Sequence, residues 1–333
     1  MRAESETAGQ VKKVSIFDII QAQLLQKIEQ ALDTGERFTW IKPWTHAPYA
    51  CSYHTPNRPF SAAVNYFFLE PGEYLSYRSI CQMQKERPEV HIRKGARQAY
   101  VYQNIPVFKK DEQGKEVLDE NGQPVIETFR VRYTREFHIA DVKGLQSHFK
   151  IPEFSHDATK ISRLADALIA DYSQKYRIEI VTRDGGDKAY SQGKTVVLPA
   201  KEQFSSQYQY YSTVFHELAH STGHFIAERT GLAYAKEELV AEISASFLCA
   251  ATRLQDDRSM ENNVAYLQGW YSRIRAGKPA DLYFAANQAK KAANLILDAS
   301  PRIKEKLRPQ IEEPEERSIK ACRKTTREPS TTR

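Results

Sequence analysis

Between Tyr210 and His220 the chain reads Y-Y-S-T-V-F-H-E-L-A-H, and few stretches leave a fold less freedom. Tyr211, Val214, Phe215 and Leu218 recur at helical spacing, and no Pro or Gly interrupts them before Gly223. The segment therefore predicts a helix buried along one side. On it His216 and His220 lie one turn apart and leave the same face. Two neutral imidazole nitrogens then reach a single Zn²⁺. Glu217, the next residue along, stands where it can take a proton from a water at that ion.

A site of this kind needs a third protein ligand, with water in the fourth position. Two sources compete for the role. His224 follows Gly223 directly in H-E-L-A-H-S-T-G-H, whereas the metzincin pattern sets its third histidine three residues after the glycine. The run Glu237-Glu238-Leu239-Val240-Ala241-Glu242 offers carboxylates on a second helix. Read as E-x-x-A-E, it supplies Glu238 as ligand and Glu242, one turn on, to orient a ligand histidine. Ala241 and Ala245 are small enough to let that helix approach the first. Glu237 fits the solvated acidic first turn that the helix dipole favours. The reading adopted is gluzincin-like: His216, His220 and Glu238 hold one Zn²⁺ per chain, Glu217 is catalytic, and Glu242 and His224 stand as outer or alternative ligands. His224, Tyr266 and Tyr271 are candidate oxyanion donors. The strand over 194–198 is expected to line the cleft and pair with an extended peptide.

At 333 residues, 41% hydrophobic and 27% charged, the chain suits a globular protein of two domains. No apolar run reaches the ~18 residues of a membrane span, and residues 1–13 lack the apolar core of a secretory signal. Cys51, Cys81, Cys249 and Cys322 are scattered without C-x-x-C pairing, which points to reduced thiols in a cytoplasmic protein. The net charge of +6 hints weakly at nucleic acid.

In chain order, Ser15 with Asp18 caps a helix to about residue 34, striped by Ile16, Ile19, Ile20, Leu24, Ile28 and Leu32. Prolines favour loop to about residue 60. Short helices are expected at 62–69 and 76–84. Two strands joined by a basic glycine turn are expected over 90–102, and a long strand over 127–139. Helices are expected at 160–175, 234–253, 262–275 and 280–299, with short strands at 178–181 and 194–199. The fold class is α+β: an N-terminal domain at 14–147 with an antiparallel sheet, a linker at 148–159, and a second domain at 160–300 that carries the gluzincin-like centre. Residues 1–13 and the basic tail 301–333 are expected to be disordered.

The segments Tyr210–His224 and Tyr234–Ile243, with Tyr266-Leu267-Gln268-Gly269-Trp270, resemble the zincin-like metallopeptidase domain of plasmid antirestriction proteins of the ArdC type. Trp40-Ile41-Lys42-Pro43-Trp44, Asn65, Tyr74-Leu75-Ser76-Tyr77, Ile92-Arg93-Lys94-Gly95 and Val131-Arg132-Tyr133 are similar to that family's single-stranded DNA-binding domain. The same domain occurs in conjugative primases of the TraC type. The resemblance spans roughly residues 14–300. It implies a protein of a mobile element that protects incoming DNA from restriction during conjugation, through a DNA-binding half and a metallopeptidase half.

Single-strand binding needs aromatic faces for bases and cations for phosphates. Trp40, Trp44, Tyr100 and Tyr102 are the candidate faces; Lys42, Arg93, Lys94 and Arg97 are the candidate cations, and Asn65 joins them through the resemblance. The expected partners are single-stranded DNA and a host protein as substrate, with no membrane. The alternative is a non-catalytic protector of single-stranded DNA whose zinc site is structural or vestigial.

Overall fold

Reciprocal hydrogen bonds open the first helix, α1 (Ile16–Thr34): Ser15 N–H donates to Asp18 at 2.8 Å, and Asp18 N–H donates to Ser15 Oγ at 3.1 Å. This capping box satisfies donors that the first turn leaves bare and contributes about 1 kcal/mol. The computed structural model describes residues 15–34, 49–120, 122–149, 158–252, 254, 271–272 and 274–306. Ile20, Leu24 and Ile28 fall on one side of α1 and are fully buried.

The N-terminal sheet has the order β1-β2-β5-β4, with β1 (Ala50–Ser52), β2 (Gly72–Ser76), β4 (Ala99–Phe108) and β5 (Ile126–His138). Two short helices, α2 (Asn65–Phe68) and α3 (Tyr77–Glu86), flank β2. A separate two-stranded pair joins β3 (His91–Ile92) to β6 (Val142–Lys143). The expected antiparallel sheet is corrected at one edge, because β1 runs parallel to β2. The two strands expected over 90–102 do not pair with each other: β3 takes β6 and β4 takes β5. Gly72 adopts φ +144°, which side-chain-bearing residues rarely do, and a Cβ there would also press on the His138 ring, so glycine is favoured where β2 meets β5.

β4 lies at the sheet's edge, and side chains seal it. Tyr102 N–H donates to Asn65 Oδ1 at 2.8 Å, while Asn65 Nδ2 donates to the Tyr102 carbonyl at 2.7 Å. Two residues on, Asn104 N–H donates to Ser61 Oγ at 2.8 Å. Edge groups that would otherwise template another chain are thus occupied.

The second half begins with α4 (Ala158–Tyr176) and a three-stranded sheet of order β7-β9-β8: β7 (Glu179–Arg183), β8 (Tyr190–Gln192) and β9 (Thr195–Pro199). The helices α5 (Gln207–Ser221), α6 (Tyr234–Ala251) and α7 (Pro279–Leu297) follow. Pro301–Lys306 forms a further helix, α8, that buries Ile303, which corrects the expected disorder at the start of the tail.

One buried cluster runs through both halves, from Ile20, Leu24, Phe67 and Tyr102 to Phe215, Phe247, Leu282 and Ala286. At this junction Phe17 packs edge-on to Tyr283 with ring centroids 5.4 Å apart, and Tyr66 meets Phe247 at 4.9 Å. Gln21 Nε2 also donates to the Ile274 carbonyl at 2.6 Å. Among the described residues Cys51, Cys81 and Cys249 are free thiols, and no helix is long and apolar enough to cross a membrane.

Candidate functional site

Ser206 Oγ caps α5 by accepting from Gln209 N–H at 3.2 Å. Tyr211, Val214, Phe215 and Leu218 then bury one side of the helix, which turns His216 and His220 toward α6. Their Nε2 atoms lie 3.1 Å apart. Glu238 reaches between them from α6, with Oε2 3.7 Å from His216 Nε2 and Oε1 3.4 Å from His220 Nε2. Ala241 and Ala245 are both buried in α6, which packs against α5. The ligand atoms of His216, His220 and Glu238 all lie within 4.8 Å of one another. Two imidazoles and a carboxylate in such proximity are a donor set that Zn²⁺ and other divalent cations of its class accept.

Each histidine has its own carboxylate behind it. His220 Nδ1 is 3.2 Å from Glu237 Oε1, and His216 Nδ1 is 3.7 Å from Glu242 Oε1. Arg229, buried on the turn Ala227–Arg229, holds Glu237 through Nε at 3.1 Å and through Nη2. Its Nη1 donates to the Ala219 carbonyl at 2.8 Å and to Thr222 Oγ1.

The electrostatics follow this crowding. Burial pushes the Glu217 carboxyl up to about 7; His220 opposes that shift, and the charges of Glu238 and Glu242 add to it. For His220, burial pulls downward, but the Glu237 hydrogen bond and the surrounding carboxylates outweigh it and raise the imidazole. Burial would raise Glu237, yet its bonds to His220 and Arg229 bring it below the usual carboxylate range. A centre so rich in carboxylates suits a dication.

Several expectations change. Glu237 is no solvated helix start: it stands between His220 and a buried arginine. His224 is not brought to the group, because its Nε2 is 2.8 Å from the Gly193 carbonyl in the β8–β9 turn. Tyr271 hydrogen bonds Glu29 of α1 and is thereby committed to the junction of the halves, while Tyr266 lies outside the described residues. The strand β9 is interior, paired with β7 on one side and β8 on the other, so an extended peptide has no open edge there. The edge next to α5 belongs to β8, which the sequence reading passed over; three residues of Y-S-Q carry too little pattern to announce a strand.

Trp40, Lys42 and Trp44 lie outside the described residues. Asn65 is buried and spends both ends of its amide on the Tyr102 peptide, and Tyr102 itself is fully buried. Neither is free to meet a nucleotide. Arg93, Lys94 and Arg97 are exposed in the connection from β3 to β4. Tyr100 is 36% exposed, and across the ladder it faces Arg135. Tyr133, 45% exposed, sits 5.1 Å from Tyr100 ring to ring. Arg135 is therefore a candidate that the sequence reading missed, and Tyr133, which entered it only within Val131-Arg132-Tyr133, becomes one. Their signal is the β4–β5 register, in which Tyr100, Tyr133 and Arg135 share a sheet face.

Comparison with known proteins agrees with this architecture. Residues 164–288 match the family model of zincin-like metallopeptidases. The fold is that of the antirestriction protein ArdC from the R388 plasmid. Its Mn(II)-bound crystal structure superposes with a TM-score of 0.57 at 20% identity, covering 87% of this chain and 99% of that one. Its metal-free form gives 0.54 at 21% identity, over 86% and 98%. In sequence the chain is similar to a DNA primase TraC of Escherichia coli, 27% identical over 288 residues. A second TraC from the same organism is 26% identical over 297 residues. The matches span 82% and 83% of this chain but only 19% and 27% of those longer proteins.

Proposed function

We propose that this chain, which folds as ArdC does, is an antirestriction protein with two working parts: a face for single-stranded DNA and a metallopeptidase centre. The observation that carries the reading is the convergence of His216, His220 and Glu238 within 4.8 Å, with Glu217 adjacent on the same helix. His216, His220 and Glu238 are the residues that hold a divalent cation, Zn²⁺ or Mn²⁺. When bound there, the ion acidifies a water and polarises a carbonyl.

The chain's own groups do the rest. Glu217, 7% exposed and within the electrostatic reach of His220, Glu238 and Glu242, takes a proton from the attacking water on its carboxylate oxygen. It later returns that proton to the leaving amide nitrogen. Glu242 and Glu237 orient the two imidazoles from behind. The β8 edge, next to α5, is the place where an extended peptide of a host protein adds as a strand.

On the other half, Tyr100 and Tyr133 supply ring faces for bases, and Arg135, Arg97, Arg93 and Lys94 supply charge for phosphates. The DNA-facing part takes in residues 14–147 and the metal-bearing part begins at 160 and runs past 300, because α8 packs Ile303 into the core.

The test is transfer of unmodified DNA into a restriction-proficient recipient, comparing the wild-type protein with Glu217→Gln. Loss of protection by a folded, metal-loaded Glu217→Gln protein is the expected result. Full protection by that variant would instead favour the non-catalytic reading, in which DNA binding alone shields the strand.

A further inference from the structure

We infer that Arg229 is a positioning residue for the metal centre: acting through Glu237, it sets the ring of His220 and fixes the two ligand-bearing helices against each other. The inference rests on the metal-binding reading above. Arg229 belongs to neither helix. It comes from the intervening turn, and its side chain is completely buried. An isolated buried guanidinium is strongly unfavourable, so what it touches decides its purpose.

Its contacts divide between the two helices. Nη1 donates at 2.8 Å to the carbonyl of Ala219 and also to Thr222 Oγ1, closing the C-terminal end of α5 directly beyond His220. Nε and Nη2 take the two oxygens of Glu237 in the first turn of α6, one residue before Glu238. Thr222 Oγ1 donates in turn to Ala219 O at 2.6 Å. A planar fork makes all these bonds at once; an ammonium group has neither the reach nor the directions to do so.

The consequence passes to His220. Glu237 Oε1 is shared between the guanidinium and His220 Nδ1, at 3.2 Å from the latter. A carboxylate held there accepts Nδ1–H, which leaves the lone pair on Nε2, the nitrogen that faces His216 and Glu238. Arg229 thus keeps Glu237 in the one place where it selects the ligating tautomer. The arrangement is one-sided: the ring of His216 is backed at Nδ1 by a different carboxylate, Glu242, at 3.7 Å.

The variants that test this are Arg229→Lys, which keeps the charge but loses the fork, and Glu237→Gln, which keeps the shape. In either orientation a glutamine at 237 sets an amide donor against the guanidinium. Affinity for Zn²⁺ is measured by chelator competition on full-length protein, with the folded fraction checked by circular dichroism. The absorption bands of the Co²⁺ form report ligand geometry independently of activity. The expected result is a fall in Zn²⁺ affinity of about tenfold to a hundredfold in both folded variants, with a changed Co²⁺ spectrum. Wild-type affinity and spectrum in folded variants would overturn the inference while leaving the metal reading intact. If Arg229→Lys fails to fold, Glu237→Gln alone decides. A wild-type protein that binds none of these ions would overturn both.

Discussion

Asn65 and Tyr102 are joined as two strands would be: the side-chain amide of one accepts from the backbone N–H of the other at 2.8 Å and donates to its carbonyl at 2.7 Å. Asn65 is 3% exposed, so nothing replaces those bonds when it is removed. Asn65→Ala is expected to lower stability by about 2 to 4 kcal/mol, the penalty for two buried backbone groups left unmatched. Denaturant unfolding reads the loss. Affinity of the folded fraction for a single-stranded oligonucleotide should be unchanged; weakened binding at unaltered stability would return Asn65 to the DNA interface.

The ribbon of β4 and β5 carries the complementary expectation. Tyr100→Ala and Tyr133→Ala should each weaken oligonucleotide binding by about 1 to 3 kcal/mol if each ring stacks on a base. Arg135→Ala should reduce the slope of log affinity against log salt by about 0.7, one phosphate contact on a single strand. Fluorescence anisotropy across a salt series measures both. Unaltered binding by all three variants would remove this face from the reading.

Metal removal should act on stability as well as on chemistry. A ligand present at about a thousandfold above its Kd stabilises the folded state by about 4 kcal/mol. A chelator is therefore expected to lower the thermal midpoint of the wild-type protein. His216→Ala should already sit near the chelated midpoint and respond little to the chelator. Equal chelator sensitivity in both proteins would move the ion elsewhere.

Glu136 gives a pH expectation with a definite sign. Burial raises its carboxyl above the ordinary 4.5, while the hydrogen bond from Thr134 Oγ1, at 2.9 Å, works the other way. The folded state therefore holds this proton more tightly than the unfolded chain does. Stability from that source is present in acid and is lost as pH rises through the folded-state value. Glu136→Gln should raise the thermal midpoint at pH 7, and the gap should close below about pH 4. A gap of the opposite sign at pH 7 would mean that the ionised form is the better accommodated one.

Glu73 is fully buried and gathers the chain at 147–149: it accepts from Ser147 Oγ at 2.6 Å and from His148 N–H at 3.1 Å, and it pairs with the His148 ring. Glu73→Ala strips these groups of their partner, and a loss of about 3 kcal/mol is expected. Hydrogen exchange should show amides 148 and 149 opening first. Unchanged protection there would place the stabilisation elsewhere.

The metal centre was readable from sequence because its ligands obey helical arithmetic. His216 and His220 are one turn apart on a stripe whose other side is apolar, and Glu238 and Glu242 repeat that spacing on a helix with small residues. The support behind the ligands follows no such rule. Arg229 lies in an irregular turn, and only its burial distinguishes it from any surface arginine. Glu237, next to a ligand, has the local pattern of a solvated helix start. The β1–β2 pairing and the β8 edge rest on three-residue strands, too short for periodicity to register. Asn65 shows a different gap: a lone polar residue in an apolar stretch marks a fixed contact, but an amide satisfies a peptide and a base edge with the same atoms.

The packing of α1 against α7 has a consequence for how the protein is made. Phe17 packs on Tyr283, some 260 residues later in the chain, and Leu24 and Ile28 share one buried cluster with Leu282 and Ala286. During synthesis, α1 leaves the ribosome with part of its apolar stripe exposed, and that part stays so until residues 279–297 have followed. Among the described residues, the last long helix to emerge is the one that lets α1 settle. A nascent chain stalled before residue 279 should accordingly hold a sticky N-terminal helix that chaperones bind and proteases cut.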